Sequence, residues 1–246
     1  MAYTTINKST DYFNTKIYTG NYTSGHAITG VGFQPDLVWA KIRAGTTGPH
    51  NLYDSLRVES NGNHNIVYTT GTAQSTTPNG FEDIISTGFT LNETSGGGDV
   101  NGGSTSSSRT YCAWCWKAGG EPSTDGKIKI DGTESNISDL VTNTGASLTP
   151  ARISANTKAG FSIIKYVGTK TSGGSDTMPH GLNSAPEVLL MRNLVHDVGW
   201  SVYSVHINGG GYLDDSKFES GRLSWMINGT NPTPSLIHIG HNGCLL

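Results

Sequence analysis

The stretch Tyr111-Cys112-Ala113-Trp114-Cys115-Trp116 decides the fold class of this 246-residue chain. Successive side chains of a β-strand point to opposite faces, so a strand here places Cys112, Trp114 and Trp116 on one face. Cys115 falls on the other face. Because free cysteine usually behaves as a small buried hydrophobic residue, we interpret the segment as a strand of a packed sheet.

The Cys-x-x-Cys spacing leaves a metal or redox site as the alternative. A structural zinc site has four ligands, and no second cysteine pair or nearby histidine pair completes one around Cys112 and Cys115. The third cysteine, Cys244, lies far along the chain. Core packing is therefore the prediction, with no metal and no cofactor.

Other short apolar segments alternate in the same way and predict further strands. They cover residues 15–19, 37–42, 65–69, 88–91, 160–166, 188–191, 200–205 and 236–239. Turn-forming residues separate them. We find no amphipathic helix of ten or more residues, and only residues 135–141 suggest a single helical turn. The sequence therefore predicts an all-β protein.

The composition agrees with many short strands and turns. The chain has 33 glycines, and only 14% of its residues are charged, against about 25% in a typical globular protein. A formal net charge of −3 without a basic patch argues against nucleic acid as a partner, since binding to phosphates needs clustered cations. No apolar run approaches the roughly 20 residues of a membrane span, so no membrane insertion is expected.

Two halves of the sequence carry the same landmarks in the same order, about 150 residues apart. In the first half these landmarks lie at residues 16–20, 32–39, 41–43 and 52–55; in the second half they lie at residues 164–168, 180–182, 186–190, 192–193 and 202–204. Each half reads as a strand, a turn loop, a strand introduced by proline and an acidic residue, and a strand that contains tyrosine.

The repeat predicts three parts. Residues 1–120 form a first β-sandwich repeat, residues 121–155 a linker with its own small strand, and residues 156–246 a second, truncated repeat. The second half stops after residues 236–239, where the equivalent of the Trp-rich strand should begin. We therefore expect that strand to come from a neighbouring chain or from a longer polypeptide.

The landmarks resemble those of repeat proteins encoded by marine bacteriophages, especially phages of cyanobacteria and other abundant ocean bacteria. The shared motifs are Tyr-Thr-Gly, Gly-Phe-Gln-Pro-Asp-x-Val-Trp-x-Lys, Leu-Tyr-Asp, Gly-Phe-x-Leu and Tyr-x-Ala-Trp-x-Trp-Lys-Ala-Gly-Gly, at residues 18–20, 32–41, 52–54, 88–91 and 111–120. The resemblance covers nearly the whole chain and is closer in the first half. One departure is Val58-Glu59-Ser60, which stands where the family has a glycine turn.

This resemblance implies two jelly-roll or concanavalin-like β-sandwich repeats, the second incomplete. It also implies a virion structural protein of the tail fibre or capsid-decoration (head fibre) type, located on the capsid surface or tail. Other virion proteins and a host-surface glycan are the expected partners. Fibres in general suggest a homotrimer. The resemblance implies no established catalytic site, so the protein is not expected to be an enzyme.

Ligand-binding residues are expected among exposed aromatic and loop positions. Trp and Tyr stack on sugar faces, and Trp225 and Tyr212 have polar or glycine neighbours. The glycine-rich loop contributes Asp99 and Asn101, loop positions that are good places to meet a ligand. The remaining tryptophans lie in strand patterns and are expected in the core: Trp39, Trp114, Trp116 and Trp200.

Three alternatives stay open. Calcium would use loop oxygen donors, which are available at Asp99, Asn101, Asp214 and Asp215. A purely architectural role would make the protein a cement between capsid or tail subunits. A polysaccharide-degrading enzyme would need two carboxylates about 5 to 10 Å apart across a groove, for which the candidates are Asp54, Glu59, Glu82, Asp83 and Glu187.

Overall fold

The structure is a computed structural model that describes residues 6–44, 48–58, 62, 64–69, 74–76, 80–93, 100–104, 107–169, 176–196, 200–204, 223–225 and 243–245. Its strands are β1 Phe13–Thr19, β2 His26–Ile28, β3 Leu37–Ala44, β4 Asn51–Asp54, β5 Val67–Tyr68, β6 Phe81–Ile85, β7 Gly88–Leu91, β8 Gly103–Ser104, β9 Ser107–Ser108, β10 Thr110–Trp116, β11 Lys127–Ile130, β12 Thr133–Asn136, β13 Arg152–Asn156, β14 Phe161–Tyr166, β15 Val188–Asn193, β16 Trp200–Ser204, β17 Leu223–Trp225 and β18 Gly243–Leu245. Helix α1 spans Ile137–Thr144, and a 3-10 turn spans Ser9–Asp11.

The first half is an antiparallel β-sandwich, which confirms the all-β prediction. A five-stranded sheet in the order β1-β10-β3-β4-β5 faces a three-stranded sheet in the order β2-β7-β6. The core between them joins Tyr18, Tyr53 and Tyr111 of the larger sheet to Phe81 and Phe89 of the smaller one. Tyr53 stacks on Phe81 with ring centroids 4.1 Å apart. Aromatic pairs of this kind add specific packing to the burial of apolar surface.

Strand β10 orients its side chains as the sequence predicts. Cys115 is fully buried in the sandwich core. Cys112, Trp114 and Trp116 are half-buried on the opposite face. The two cysteines of the Cys-x-x-Cys pair therefore lie on opposite faces of one strand, an arrangement that does not let both thiols bind one metal ion.

Residues 127–245 contribute an eight-stranded sheet, the second sheet, with its strands in the order β12-β11-β13-β14-β18-β15-β16-β17. Strands β11 and β13 pair in parallel, and the other neighbours are antiparallel. Residues 121–155, predicted as a linker with a small strand, supply β11, β12, α1 and β13 to this layer. The boundary predicted at residue 155 falls inside β13.

Residues 121–155 join this sheet because their apolar side chains are buried against it. Ile128 and Ile153 are fully buried in the same cluster as Ile137 of α1. The single turn expected around residues 135–141 is an eight-residue helix. It ends at Gly145, whose φ of +64° is the left-handed conformation typical of a helix C-terminus.

The predicted strand at residues 236–239 lies outside the described residues.

The internal repeat is visible in both strand order and register. Strands β14-β18-β15-β16 repeat the order β1-β10-β3-β4. Cys112 pairs with Ile17 and Lys41 on its two sides. Cys244 pairs with Lys165 and Arg192. The equivalent tyrosines of β4 and β16 hold matching positions too, with Tyr53 opposite Val38 and Tyr203 opposite Leu189.

This register corrects one expectation. The last strand of the second half was expected to be missing from this chain. Residues Gly243–Leu245 occupy its place, because β18 lies between β14 and β15 as β10 lies between β1 and β3. The chain itself therefore supplies a strand at that position.

The two related sheets pack back to back. Leu52 of the first half and Ile163 and Trp200 of the second share one buried cluster. Trp200 is 2% exposed, and its Nε1 donates to the carbonyl of Tyr68 at 3.0 Å. The prediction that Trp200 belongs to the core is confirmed. Trp39 and Trp116 pack against the same cluster while staying half-buried.

Candidate functional site at the junction of the two halves

A cleft of about 1070 Å³ opens where the two halves meet. One wall comes from the loop before β3 and from the segment after β10, at residues 32–36 and 117–120. The other wall comes from the ends of β11 and β13 and the residues that follow them, at 129–132 and 156–158. Two of the motifs that carry the resemblance, Gly-Phe-Gln-Pro-Asp and Lys-Ala-Gly-Gly, thus meet in one place.

Asp36 holds these two motifs together. Its carboxylate accepts the main-chain N–H of Ala118 at 2.6 Å and the hydroxyl of Ser55 at 3.0 Å. Its own N–H donates to the carbonyl of Trp116 at 2.8 Å. The residue is 2% exposed. Burial raises the pKa of Asp36 above its ordinary value of 3.8, against the lowering effect of the hydrogen bonds from Ala118, Ser55 and Gly120 and of the nearby Lys117.

Gly119 brings the first half into contact with the second sheet. Its N–H donates to Oγ of Ser154 at 2.9 Å. A Cβ at this position would lie 2.0 Å from the carbonyl oxygen of Lys129 and 2.6 Å from that of Ala155. Real Cβ atoms do not come this close to backbone atoms. The residue at position 119 must therefore be glycine for β11 and β13 to lie this close to the segment that follows β10.

Asn156 closes the same contact from the second half. Its Nδ2 donates to the carbonyl of Ala118 at 3.3 Å, and its Oδ1 accepts the N–H of Ala159 at 2.8 Å. The side chain is 5% exposed. Both walls of the cleft are therefore held in place by buried hydrogen bonds that end on the Lys-Ala-Gly-Gly segment.

Among the described residues, three lysines line the cleft: Lys117, Lys129 and Lys158. Lys158 is exposed, and the other two are half-buried. The acidic residue on the same rim, Asp131, accepts hydrogen bonds from the N–H and the hydroxyl of Thr157. The cleft thus presents ammonium groups and the exposed carboxylate of Asp131 to solvent, whereas the carboxylate of Asp36 is buried.

Asn101, predicted to contact a ligand, is instead fully buried. Its Nδ2 donates to the carbonyls of Thr23 and Asn92 at 3.0 and 2.9 Å. Its Oδ1 accepts the N–H of Asn21 at 3.1 Å and lies 2.9 Å from Nδ1 of His26. The side chain connects three loops at one end of the sandwich, so its geometry is that of a structural residue. It does not line the cleft.

The other predicted ligand residues belong to strand β17 or lie outside the described residues. Trp225 belongs to β17, where its backbone pairs with that of Trp200. Tyr212 and Asp99 lie outside the described residues, as do Asp214 and Asp215.

Among the candidate carboxylates, Asp54 is fully buried and bound to Arg57. Its Oδ2 lies 2.6 Å from Nε of Arg57, and its Oδ1 accepts the N–H groups of Leu56 and Arg57. Asp83 is 63% exposed and lies 3.2 Å from the buried His64 ring. Glu187 is exposed, and Glu59 lies outside the described residues.

The described ranges contain neither a metal-binding cluster nor a membrane-spanning helix. No group of three His, Cys, Asp or Glu side chains there is placed to hold a metal ion. None of the helices in this part of the chain has the length and apolar character needed to cross a bilayer.

Sequence reasoning missed the residues that build the cleft. Lys117 and Gln34 stand inside the recognised motifs, so their motif context was a usable signal. Lys129 belongs to the alternating Lys-Ile-Lys-Ile segment, which the repeat pattern assigns to a linker. No sequence pattern joins Lys158 to the others, because only the docking of the two halves brings them together.

The chain matches the model of a known protein family. The model of a family described as a domain of unknown function, DUF7483, matches residues 8–245, so one family domain spans both halves. No curated protein matches the chain, and no solved structure matches it.

Proposed function

The chain belongs to the DUF7483 family, and we propose that it is a structural protein of a bacteriophage virion with a role in adhesion to the host surface. On this proposal it is a tail fibre or a capsid-decoration component. It assembles with other virion proteins and acts on the outside of the particle without catalysing a reaction.

The observation that carries the proposal is the repeated unit. Both halves order their strands in the same way and in the same register, with Cys112 and Cys244 in equivalent positions. The resemblance to phage repeat proteins rests on motifs of this same unit. Two of those motifs are joined through Asp36 and Ala118, so they act in assembling the unit.

Adhesion is supported by the junction cleft. Its volume of about 1070 Å³ is close to the upper end of the roughly 300–1,000 Å³ that ligand pockets occupy. The exposed amides of Gln34 and Asn183 line it, and amides are suited to hydrogen-bonding sugar hydroxyls. Many copies on one particle would convert weak binding into strong attachment.

A second candidate function is architectural cement, which a different surface favours. Phe13 is 36% exposed and Ile17 is 62% exposed on β1, the edge strand of the five-stranded sheet. Thr15, between them on the strand, pairs with the half-buried Trp114. Exposed apolar patches of this kind often mark protein contacts, and a neighbouring virion subunit would cover this one.

Cryo-electron microscopy of the intact phage particle tests the proposal. We expect density for this chain at the particle surface, with the junction cleft open to solvent. Density buried between major structural subunits, with β1 covered, would favour cement. Absence of the chain from purified particles would refute both roles. Light scattering of the 26.0 kDa chain separately tests the trimer, and a monomer would count against the fibre assignment.

A further inference from the structure

We propose that the junction cleft binds acidic saccharide chains, whose carboxylates pair with the ammonium groups of Lys117, Lys129 and Lys158. The inference rests on the proposed adhesion function and names the ligand class for it. Nothing in the sequence motifs alone assigns a ligand to this surface.

The first argument is the distribution of charge. The chain as a whole carries a formal net charge of −3, yet three lysines line this one cleft. Asp36, on the same wall as Lys117, is 2% exposed, and its carboxylate accepts hydrogen bonds from Ala118 and Ser55. Asp131 accepts two hydrogen bonds from Thr157. Asp131 is nevertheless exposed, so three lysines face a ligand together with this one accessible carboxylate of the described lining. The accessible groups therefore carry an excess of positive charge, opposite in sign to the net charge of the chain.

The second argument is that the lysines are carried on a rigid frame. Lys117 directly precedes Ala118 and Gly119, whose backbones are fixed by Asp36 and Ser154. Its own N–H donates to the carbonyl of Tyr12 at 2.8 Å. A binding site whose groups are held before the ligand arrives loses less entropy on binding.

Lys129 is positioned from the other wall. Its aliphatic chain passes over Gly120, where an added Cβ would lie 3.3 Å from Cδ of the lysine. Its Nζ donates to the carbonyl of Glu121 at 3.3 Å. An ammonium group has three donor hydrogens, so two remain for a ligand carboxylate.

The uncharged part of the lining suits a sugar. Gln34 and Asn183 are exposed, and the half-buried Tyr12 also lines the cleft. Tyrosine combines an apolar face with a polar hydroxyl. Neutral sugars would meet the same amides and the same ring but would lack the ion pairs, so charge is expected to decide affinity.

Calorimetry on the full chain tests the inference with two matched probes. These are a short oligogalacturonate and its methyl ester, which keeps the backbone of the sugar chain and removes the charge. We expect the acid to bind at least about tenfold more tightly than the ester, with affinity that falls as salt is added. Equal affinities, or no binding of the acid at millimolar concentration, would overturn the inference.

Variants locate the site. The double variant Lys117→Gln/Lys158→Gln is expected to weaken binding of the acid by about tenfold. The single variant Lys158→Gln changes only an exposed side chain. Weaker binding in this variant therefore cannot be attributed to unfolding of the protein. The control is Lys127→Gln, because Lys127 lies on β11 two residues before Lys129 but hydrogen-bonds Asn136 outside the cleft. Equal loss in Lys127→Gln and Lys158→Gln would overturn the assignment to the cleft.

The two proposals can fail separately. If the chain adsorbs to host cells and the double variant adsorbs equally well, the cleft inference falls while adhesion stands. If the chain is absent from virions but binds oligogalacturonate through the lysines, the virion assignment falls while the saccharide site stands.

Discussion

The carboxylate of Asp36 and the main-chain N–H of Ala118 form a 2.6 Å hydrogen bond across 82 positions of the sequence. The bond joins the loop before β3 to the segment after β10, and that segment is also the one that docks on the second sheet. One buried side chain thus connects the construction of the first sandwich to the junction of the two halves.

Replacing Asp36 by alanine is expected to lower the free energy of unfolding by about 3 kcal/mol. The change leaves the N–H of Ala118 and the hydroxyl of Ser55 buried without this acceptor, and an unsatisfied buried donor costs about 1–3 kcal/mol. Urea unfolding followed by fluorescence measures the loss. The matched control is Asp11→Ala, which removes only an exposed ion pair with Lys8 and should change stability by about 0.5 kcal/mol or less. Similar losses in both variants would contradict the role of Asp36.

Replacing Gly119 by alanine is expected to cost roughly 3 kcal/mol, because the added Cβ would collide with the carbonyls of Lys129 and Ala155. Backbone atoms cannot move aside as a flexible side chain can. Thermal unfolding should show a lower Tm. Gly126→Ala is the comparison: its φ of +83° disfavours alanine, but nothing lies within 4 Å of the added Cβ, so about 1–2 kcal/mol is expected. A smaller effect at Gly119 than at Gly126 would show that the docking contact is loose.

His50 should make stability depend on pH below 6.5. Burial, with help from nearby Lys41, lowers the pKa of His50 below its ordinary value of 6.5, and its Nδ1 accepts the indole N–H of Trp39 at 2.8 Å. As the pH falls below 6.5 the unfolded chain takes up this proton before the folded chain does. Stability therefore falls until the lowered pKa of the folded protein is passed.

The measurement is the unfolding free energy as a function of pH in the parent protein and in His50→Gln. The difference between the two curves isolates His50 from the other histidines. We expect this difference to be flat above pH 6.5 and to change below that value, together with the tryptophan fluorescence, to which Trp39 contributes. A difference that changes only above pH 6.5 would mean that the pKa is raised rather than lowered.

Cys115 should resist alkylation in the folded protein. Burial raises the pKa of its thiol to about 12, and the thiolate is the reactive form. Cys112, half-buried on the opposite face, is expected to react first with iodoacetamide, and Cys115 only at the rate of unfolding. Peptide mapping by mass spectrometry distinguishes the sites. Faster labelling of Cys115 than of Cys112 would contradict its place in the core.

Local alternation explains what the sequence predicted well. The period of two that defines a strand is contained in a few neighbouring residues, so the faces of β10 followed from its letters alone. The repeat also followed from the sequence, because its landmarks recur in order. Strand β12 was missed since its residues, Thr-Glu-Ser-Asn, are all exposed and show no apolar alternation.

By itself the sequence determined the all-β class, the orientation of Cys112 and Cys115, and the equivalence of the two halves, since each depends on patterns along the chain. Only the tertiary structure decided that residues 121–155 join the second sheet, and that Asp36 binds Ala118. It also decided that Lys117, Lys129 and Lys158 line one cleft. Those outcomes depend on which distant backbones approach, and that is set by the packing of two apolar sheet faces rather than by any local pattern.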